Sequence, residues 1–263
     1  MAKGFFTDTT LCIGCKACEV ACKQWNQLPE DGFAFTGMSY DNTASLGAST
    51  WRHVAFIERP VALSTQDAGA FSWLFSSDVC KHCARAGCLE SCPTGAIIRT
   101  EFDSVYVQPD VCNGCGYCVV NCPFGVIDRS PTDGRAWKCT LCYDRLREDM
   151  TPACAKACPT ESIKFGELDD LRAEAKQRVE NLHEKGMREA YLYGESAESQ
   201  PGTEGLNAFF LLLDKPEVYN LPPNPVVPTK KSGDAWKSMG IAAAGMALAA
   251  VGAVLFGRDK KIS

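Results

Sequence analysis

The sequence is poor in histidine and short of positive charge: it has three histidines in 263 residues, and 27 Lys and Arg stand against 32 Asp and Glu, a formal net charge of −5. Lacking a basic excess, it has no electrostatic footprint for a phosphate backbone, which argues against nucleic acid as a partner. No nucleotide-binding glycine loop, carboxylate pair or separate nucleophile stands out, which disfavours a self-contained enzyme. The opening MAKGFFTDTTLC has no apolar run long enough for a secretory segment, no small-residue cleavage site and no twin arginine, so an export signal of its own is not expected. Disorder is also excluded, because 46% of the residues are apolar and only 22% charged. The length suits one or two domains.

What the chain has in unusual supply is cysteine. Sixteen cysteines fall into four quartets with none left over: Cys12, Cys15, Cys18, Cys22; Cys80, Cys83, Cys88, Cys92; Cys112, Cys115, Cys118, Cys122; and Cys139, Cys142, Cys154, Cys158. The first and third read C-x2-C-x2-C-x3-C, the second C-x2-C-x4-C-x3-C, and the fourth C-x2-C-x11-C-x3-C. Pro93, Pro123 and Pro159 follow three of the quartets, and Lys23 follows the other. Bacterial ferredoxins use this run for [4Fe–4S] clusters: three close cysteines wrap one cluster and the fourth ligates another. All sixteen cysteines are thus candidate ligands, and four [4Fe–4S] clusters are the expected cofactors. Gly14 and Gly114, inside C-x-G-C, are expected to remove a side chain where the loop approaches its cluster most tightly.

Three rival uses of cysteine fit less well. Zinc prefers two separated pairs, and three cysteines within seven residues would leave a thiol stranded. Disulfides suit an exported scaffold rather than crowded C-x2-C runs. A redox C-x2-C motif has no need of four quartets.

The quartets carry matching flanks. CPTGAI (92–97), CPFGVI (122–127) and CPTESI (158–163) each lead into a strand candidate, and VYVQPDVCNGC echoes FFTDTTLCIGC upstream. The predicted fold class is α+β: two ferredoxin-like two-cluster modules in residues 1–168, interrupted by an insertion at 23–79. Within that insertion Trp51, Val54 and Phe56 mark one strand and Phe71 to Phe75 another. It is read either as a cover for a cluster or a partner contact, or as extra local core. Residues 169–237 are expected to hold an amphipathic helix (Leu171, Ala175, Val179, Leu182, with Gly186 as stop), a buried strand AFFLLLD, and an extended tether LPPNPVVP at 221–228.

Residues 238–257 carry no charge and would span about 30 Å as a helix, enough for a bilayer core. Gly240, Gly245, Ala249 and Gly252 keep its surface thin, which suits packing against another membrane helix. Lys230, Lys231 and Lys237 precede the span, and Arg258, Lys260 and Lys261 follow it in the short basic tail 258–263. This balance leaves orientation open.

The stretches FFTDTTLCIGCKACEVACKQWN, KCTLCYDR and DKPEVYNLPPNP, followed by one membrane span, resemble the beta subunit of membrane-bound formate dehydrogenases. That group lies within the four-cluster iron–sulfur subunits of the molybdenum and tungsten oxidoreductases related to dimethyl sulfoxide reductase. The resemblance implies an electron-transfer subunit between a molybdopterin or tungstopterin catalytic alpha subunit and a membrane cytochrome b gamma subunit that reduces quinone. It also implies contact with membrane lipid and a single-pass location in the inner membrane. The cluster region would lie on the periplasmic side, carried across with a partner that has a signal, with the cytoplasmic face as the alternative. The equivalent subunit of a polysulfide, nitrate or sulfoxide reductase is the alternative.

The resemblance further implies a nested ligand pairing: Cys12, Cys15, Cys18 with Cys158; Cys139, Cys142, Cys154 with Cys22; Cys80, Cys83, Cys88 with Cys122; and Cys112, Cys115, Cys118 with Cys92. Spacing alone leaves a sequential pairing open. No histidine lies in the 238–257 span, so any haem is expected on another polypeptide. Lys16, Lys23, Lys81, Lys138 and Lys156 are read as solvated lysines, with tuning of cluster potential as the sharper alternative. His82 is read as a loop side chain, and YDRLREDM (143–150) as a solvated loop, a cover over a cluster or a face toward the catalytic subunit.

Overall fold

The computed structural model describes residues 1–32, 37, 41, 43, 45–60 and 71–256. Gly257, the basic tail 258–263 and parts of the 23–79 insertion, including 61–70, lie outside the described residues. Two compact units are present, Met1–Val227 and Pro228–Ser263.

In sequence order the first unit contains β1 (Lys3–Asp8), α1 (Ala17–Trp25), β2 (Arg52–Pro60), β3 (Phe71–Val79), α2 (Gly87–Glu90), β4 (Ile97–Arg99) and β5 (Val105–Val107). There follow α3 (Tyr117–Val120), β6 (Asp128–Arg129), β7 (Ala136–Trp137), α4 (Tyr143–Arg147), α5 (Ala153–Lys156), β8 (Ile163–Glu167), α6 (Leu168–Glu184), β9 (Tyr191–Tyr193) and β10 (Ala208–Leu212). Helix and strand are mixed along the sequence, an α+β arrangement.

The largest sheet has the order β8-β1-β10-β9. β8 runs antiparallel to β1, with Phe5 opposite Phe165, while β10 runs parallel to it, with Phe6 opposite Phe209. Every residue of β10 is buried, as expected for the unbroken apolar run AFFLL with both faces covered. Phe6 stacks on Phe209 at 5.3 Å between centroids. α6 closes one face of the sheet with Leu168, Leu171, Ala175 and Leu182. Asp169 and Asp170 occupy its first turn, where carboxylates favour the helix dipole, and Gly186 follows its end at φ +90°. Burying a phenylalanine such as Phe209 contributes about 1.5–3 kcal/mol, so this sheet is the mechanical base of the unit.

The insertion folds back as the antiparallel hairpin β2–β3, with Phe56 opposite Phe75 and Arg52 opposite Val79. Two smaller hairpins, β4–β5 and β6–β7, flank the central cysteine loops. The proline-rich segment is docked rather than free: Leu221 and Val227 are buried, and the Val227 N–H donates to the Gly202 carbonyl at 3.2 Å. Proline density sets an extended backbone here, but the apolar residues between the prolines anchor that backbone to the body.

In the second unit a short turn at Pro228–Lys231 leads into α7 (Ser232–Phe256). This helix begins ahead of the uncharged stretch that starts at Ser238, and its 25 residues span about 37 Å. It is long and apolar enough to cross a membrane, and none of its apolar window is buried. Trp236, Met239, Ile241, Met246, Leu248 and Val251 are all exposed.

Candidate metal centres

Each cysteine loop begins at the end of a strand or hairpin and runs into a short helix, and several of its residues adopt left-handed backbone. In the first loop these are Gly14 (φ +68°) and Lys16 (φ 58°), and in the third Gly114 (φ +72°) and Gly116 (φ +80°). The surrounding protein gives its own reason for the two C-x-G-C glycines. A Cβ on Gly14 would lie 2.8 Å from the Phe75 ring, and one on Gly114 would lie 2.5 Å from the Gly134 carbonyl oxygen. Neighbouring protein, in addition to positive φ, forbids a side chain at both positions.

The loops bring sequence-distant cysteines together. One pocket, here site A, is lined by Cys12, Cys15, Cys18 and Cys158. Another, site C, is lined by Cys80, Cys83, Cys88 and Cys122. A third, site D, is lined by Cys112, Cys115, Cys118 and Cys92. Cys22, from α1, lies near enough to Cys139, Cys142 and Cys154, the last on α5, for all three to act on its thiol electrostatically; these four are site B.

None of the sixteen cysteines is in a disulfide. Among the described residues no three Cys, His, Asp or Glu side chains stand close enough to hold a single metal ion. A tetrahedral zinc, with Zn–S near 2.3 Å, needs such convergence. Four thiols spread around a cavity suit a larger group with several metals at its corners. The residues present therefore fit an iron–sulfur cluster.

Burial raises half of these thiols. It pushes Cys18 up to about 11, the Arg52 charge and a Ser77 hydrogen bond only partly offsetting it. Cys88 rises to about 12, and Cys118 and Cys142 to about 11, again chiefly through burial. Burial also raises Cys22, Cys139 and Cys83, and neighbouring cysteines push them further because they repel added negative charge. Cys92 moves the other way: the Thr94 hydroxyl and the backbone at Ile97, Thr94 and Ala96 outweigh its burial. Deprotonated sulfur in these pockets needs a cation or a metal beside it.

The sites form a series. Arg52 contacts Cys154 of site B and reaches Cys18 of site A through Ser77. Lys138 feels the charges of Cys80 and Cys88 in site C and of Cys139 in site B. Cys88 of site C is influenced by Cys118 of site D. At the two ends, Cys15 and Cys115 are exposed. Exposed Ile13 and Val20 flank the first of these ends, and Val111, Tyr117 and Val120 the second.

Two lysines read as solvated are not. Lys81 and Lys138 are 1% and 2% exposed. Lys81 donates to Asp78 and to the Val79 carbonyl and lies over the Phe124 and Phe210 rings. Lys138 donates to the carbonyls of Val105 and Cys139. Lys16 and Lys23 are half-buried and pair with Asp41 and Asp31, and Lys156 is exposed. His82 is a loop side chain, as read, yet fully buried: its Nδ1 accepts the Val105 N–H at 3.0 Å, and burial, then Lys138, hold it neutral. The first five residues of the 143–150 segment form α4, which folds back on α1, with Arg145 over Trp25 at 4.2 Å and Asp144 accepting the Trp25 indole N–H at 2.7 Å. Sequence reasoning missed Arg52 altogether.

Residues 11–96 and 71–168 each match a family described as a 4Fe-4S dicluster domain. The chain is 40% identical over 253 residues to the formate dehydrogenase iron-sulfur subunit of Haemophilus influenzae, covering 93% of this chain and 77% of that protein. The chain belongs to the family of formate dehydrogenase iron–sulfur subunits. Another member, the nitrate-inducible formate dehydrogenase iron-sulfur subunit of Escherichia coli, is 39% identical over 234 residues, or 88% of this chain and 75% of its own. One subunit of the anaerobic dimethyl sulfoxide reductase of Escherichia coli is a more distant relative, 34% identical over 169 residues, or 64% of this chain and 75% of its own. Membership makes multiple [4Fe–4S] clusters the cofactors of this family member, four in total by analogy.

Proposed function

We propose that the chain is the electron-transfer subunit of a membrane-bound formate dehydrogenase, with sites A to D as its four [4Fe–4S] stations. The observation that carries this reading is the grouping of sixteen cysteines into four all-thiol sets, three of them each lining its own pocket, in a series whose two ends approach solvent. In this reading the ligands are Cys12, Cys15, Cys18 and Cys158 at A; Cys139, Cys142, Cys154 and Cys22 at B; Cys80, Cys83, Cys88 and Cys122 at C; and Cys112, Cys115, Cys118 and Cys92 at D. The clusters, when bound, supply one-electron storage.

The protein's own residues hold them, exclude water and fix their charge surroundings. Leu141, Val54, Val79, Val126 and Ile163 form apolar walls around sites A to C, while Ile97, Val105 and Ile127 do so around C and D. Backbone N–H groups point at sulfur: Leu141 N–H, from the fourth loop, to Cys139 and Ala136 N–H, from β7, to Cys112, both at 3.4 Å. Such bonds favour negative charge on the sulfur. Electrons enter and leave at the exposed rims near Cys15 and Cys115, one toward a molybdopterin or tungstopterin catalytic subunit and the other toward a membrane cytochrome b that reduces quinone.

α7 anchors the protein in the inner membrane as a single span. Trp236 and Lys237 lie at its N-terminal end, where aromatic and basic residues suit the headgroup layer. Glycines at 240, 245 and 252, with nothing packed on them, offer a close-packing face to a partner helix. The cluster-bearing unit lies on the periplasmic side.

Purification in mild detergent, identification of the associated subunits and a formate-to-quinone assay test this proposal. The expected result is a pterin subunit, a cytochrome b and formate-dependent quinone reduction. A pterin partner acting on another substrate keeps electron transfer and discards formate.

A further inference from the structure

Arg52 is the largest fully buried side chain among the described residues, at 1% exposure. The base of the β2–β3 hairpin delivers it between sites A and B. Its Nη2 donates to the Cys154 Sγ at 3.3 Å. Its Nη1 donates to the Ser77 carbonyl at 3.1 Å and to the Ser77 hydroxyl at 3.3 Å. That hydroxyl is hydrogen-bonded with the Cys18 Sγ at 3.3 Å, so one guanidinium reaches a site B thiol directly and a site A thiol through one bridge. The Phe5 ring lies 4.8 Å from its Cζ, and its Nε is buried without a partner.

Among the described residues Arg52 pairs with no carboxylate, yet a guanidinium stays charged in any protein environment. An unpaired buried cation is strongly destabilising, and the groups near it that can carry negative charge include the Cys154 sulfur it touches and the Cys18 sulfur beyond Ser77. With clusters loaded, each site holds about −2 in its oxidised form and one more negative charge when reduced. The attraction of a fixed cation grows with that charge, and in a dry interior the effect is large. Arg52 therefore stabilises the reduced state of both neighbours, and it offsets the repulsion that opposes reducing both at once.

We propose that Arg52 is a positioning residue for electron transfer: a fixed cation that raises the midpoint potentials of the clusters at sites A and B, B more than A because the contact to Cys154 is direct. This inference gives the insertion a function, which is to carry charge into the junction between two stations. It rests on the reading of the quartets as cluster ligands.

The test is a dithionite redox titration of the purified complex, followed by electron paramagnetic resonance, for the wild type, Arg52→Gln and Arg52→Lys. Arg52→Gln removes charge while keeping a donor. The expected result is a shift of the site B signal to lower potential, a smaller shift at A, and no shift at C or D; Arg52→Lys stays near wild type. Arg52→Gln titrating as wild type with four clusters present overturns the inference, as does an equal shift of all four signals, which marks a structural disturbance. If Arg52→Gln fails to load, Arg52→Lys decides. Loaded clusters near wild-type potentials support a role for charge, whereas failure to load, or a lowered B signal, shows that shape matters instead and overturns it. A wild-type complex without reducible clusters would sink the ligand reading itself, a distinguishable outcome.

Discussion

Replacing Gly114 with alanine is expected to damage site D far more than an ordinary glycine-to-alanine change. Gly114 sits at φ +72°, where an L-residue costs about 1–2 kcal/mol. Its Cβ would also lie 2.5 Å from the Gly134 carbonyl oxygen and 3.2 Å from the carbonyl carbon. That neighbour is backbone, held in the β6–β7 turn by Gly134 N–H to Ser130 O and Ser130 N–H to Arg135 O, both 2.8 Å, so it cannot swing aside like a side chain. Overpacking of this kind costs about 1–3 kcal/mol, giving about 2–5 kcal/mol in all. Relief requires the loop to move, and with it Cys112 and Cys115. Gly125 is the control: its φ is +62°, but nothing lies within 4 Å of its added Cβ, so Gly125→Ala should cost only the backbone part. Denaturant midpoints of anaerobically loaded protein and the intensity of the site D resonance measure both. Gly114→Ala no more harmful than Gly125→Ala, with the site D signal intact, would refute the reasoning.

The crossed pairing predicts that Cys158→Ser disturbs the cluster of Cys12, Cys15 and Cys18; loss confined to the cluster of Cys139, Cys142 and Cys154 contradicts it. A pH dependence follows from the thiols. Cys18, Cys118 and Cys142 at about 11 and Cys88 at about 12 lie above the ordinary thiol value near 9, so in the cluster-free protein they contribute stability below pH 9 that is lost as pH rises through 11 to 12. The thermal midpoint of reduced, iron-free protein should therefore fall above about pH 9, and loading should flatten the dependence, because bound sulfur is already thiolate. A midpoint indifferent to alkaline pH without iron would contradict the burial of these groups.

The chemistry was legible because cysteine spacing is local and repetitive. Four quartets, the strand starts after CPTGA and CPTES, the α6 periodicity and the apolar run of β10 all sit in short windows. Long-range placement was less so. Nothing near residue 208 shows that β10 lies parallel beside β1 and joins residues 169–227 to the cluster-bearing part in one compact unit. Lys81 and Lys138 look solvated because a loop without periodicity does not reveal which side faces inward. Arg52 begins a strand whose pattern carries no mark of the anionic junction awaiting it, and only the hairpin register and the Cys154 contact identify its place.

The most direct test of four cluster stations is chemical. Iron and acid-labile sulfide, determined on anaerobically purified protein of known concentration, should each come to about sixteen per polypeptide, with resonances appearing on dithionite reduction. Zinc in place of iron, with no labile sulfide, would contradict the account.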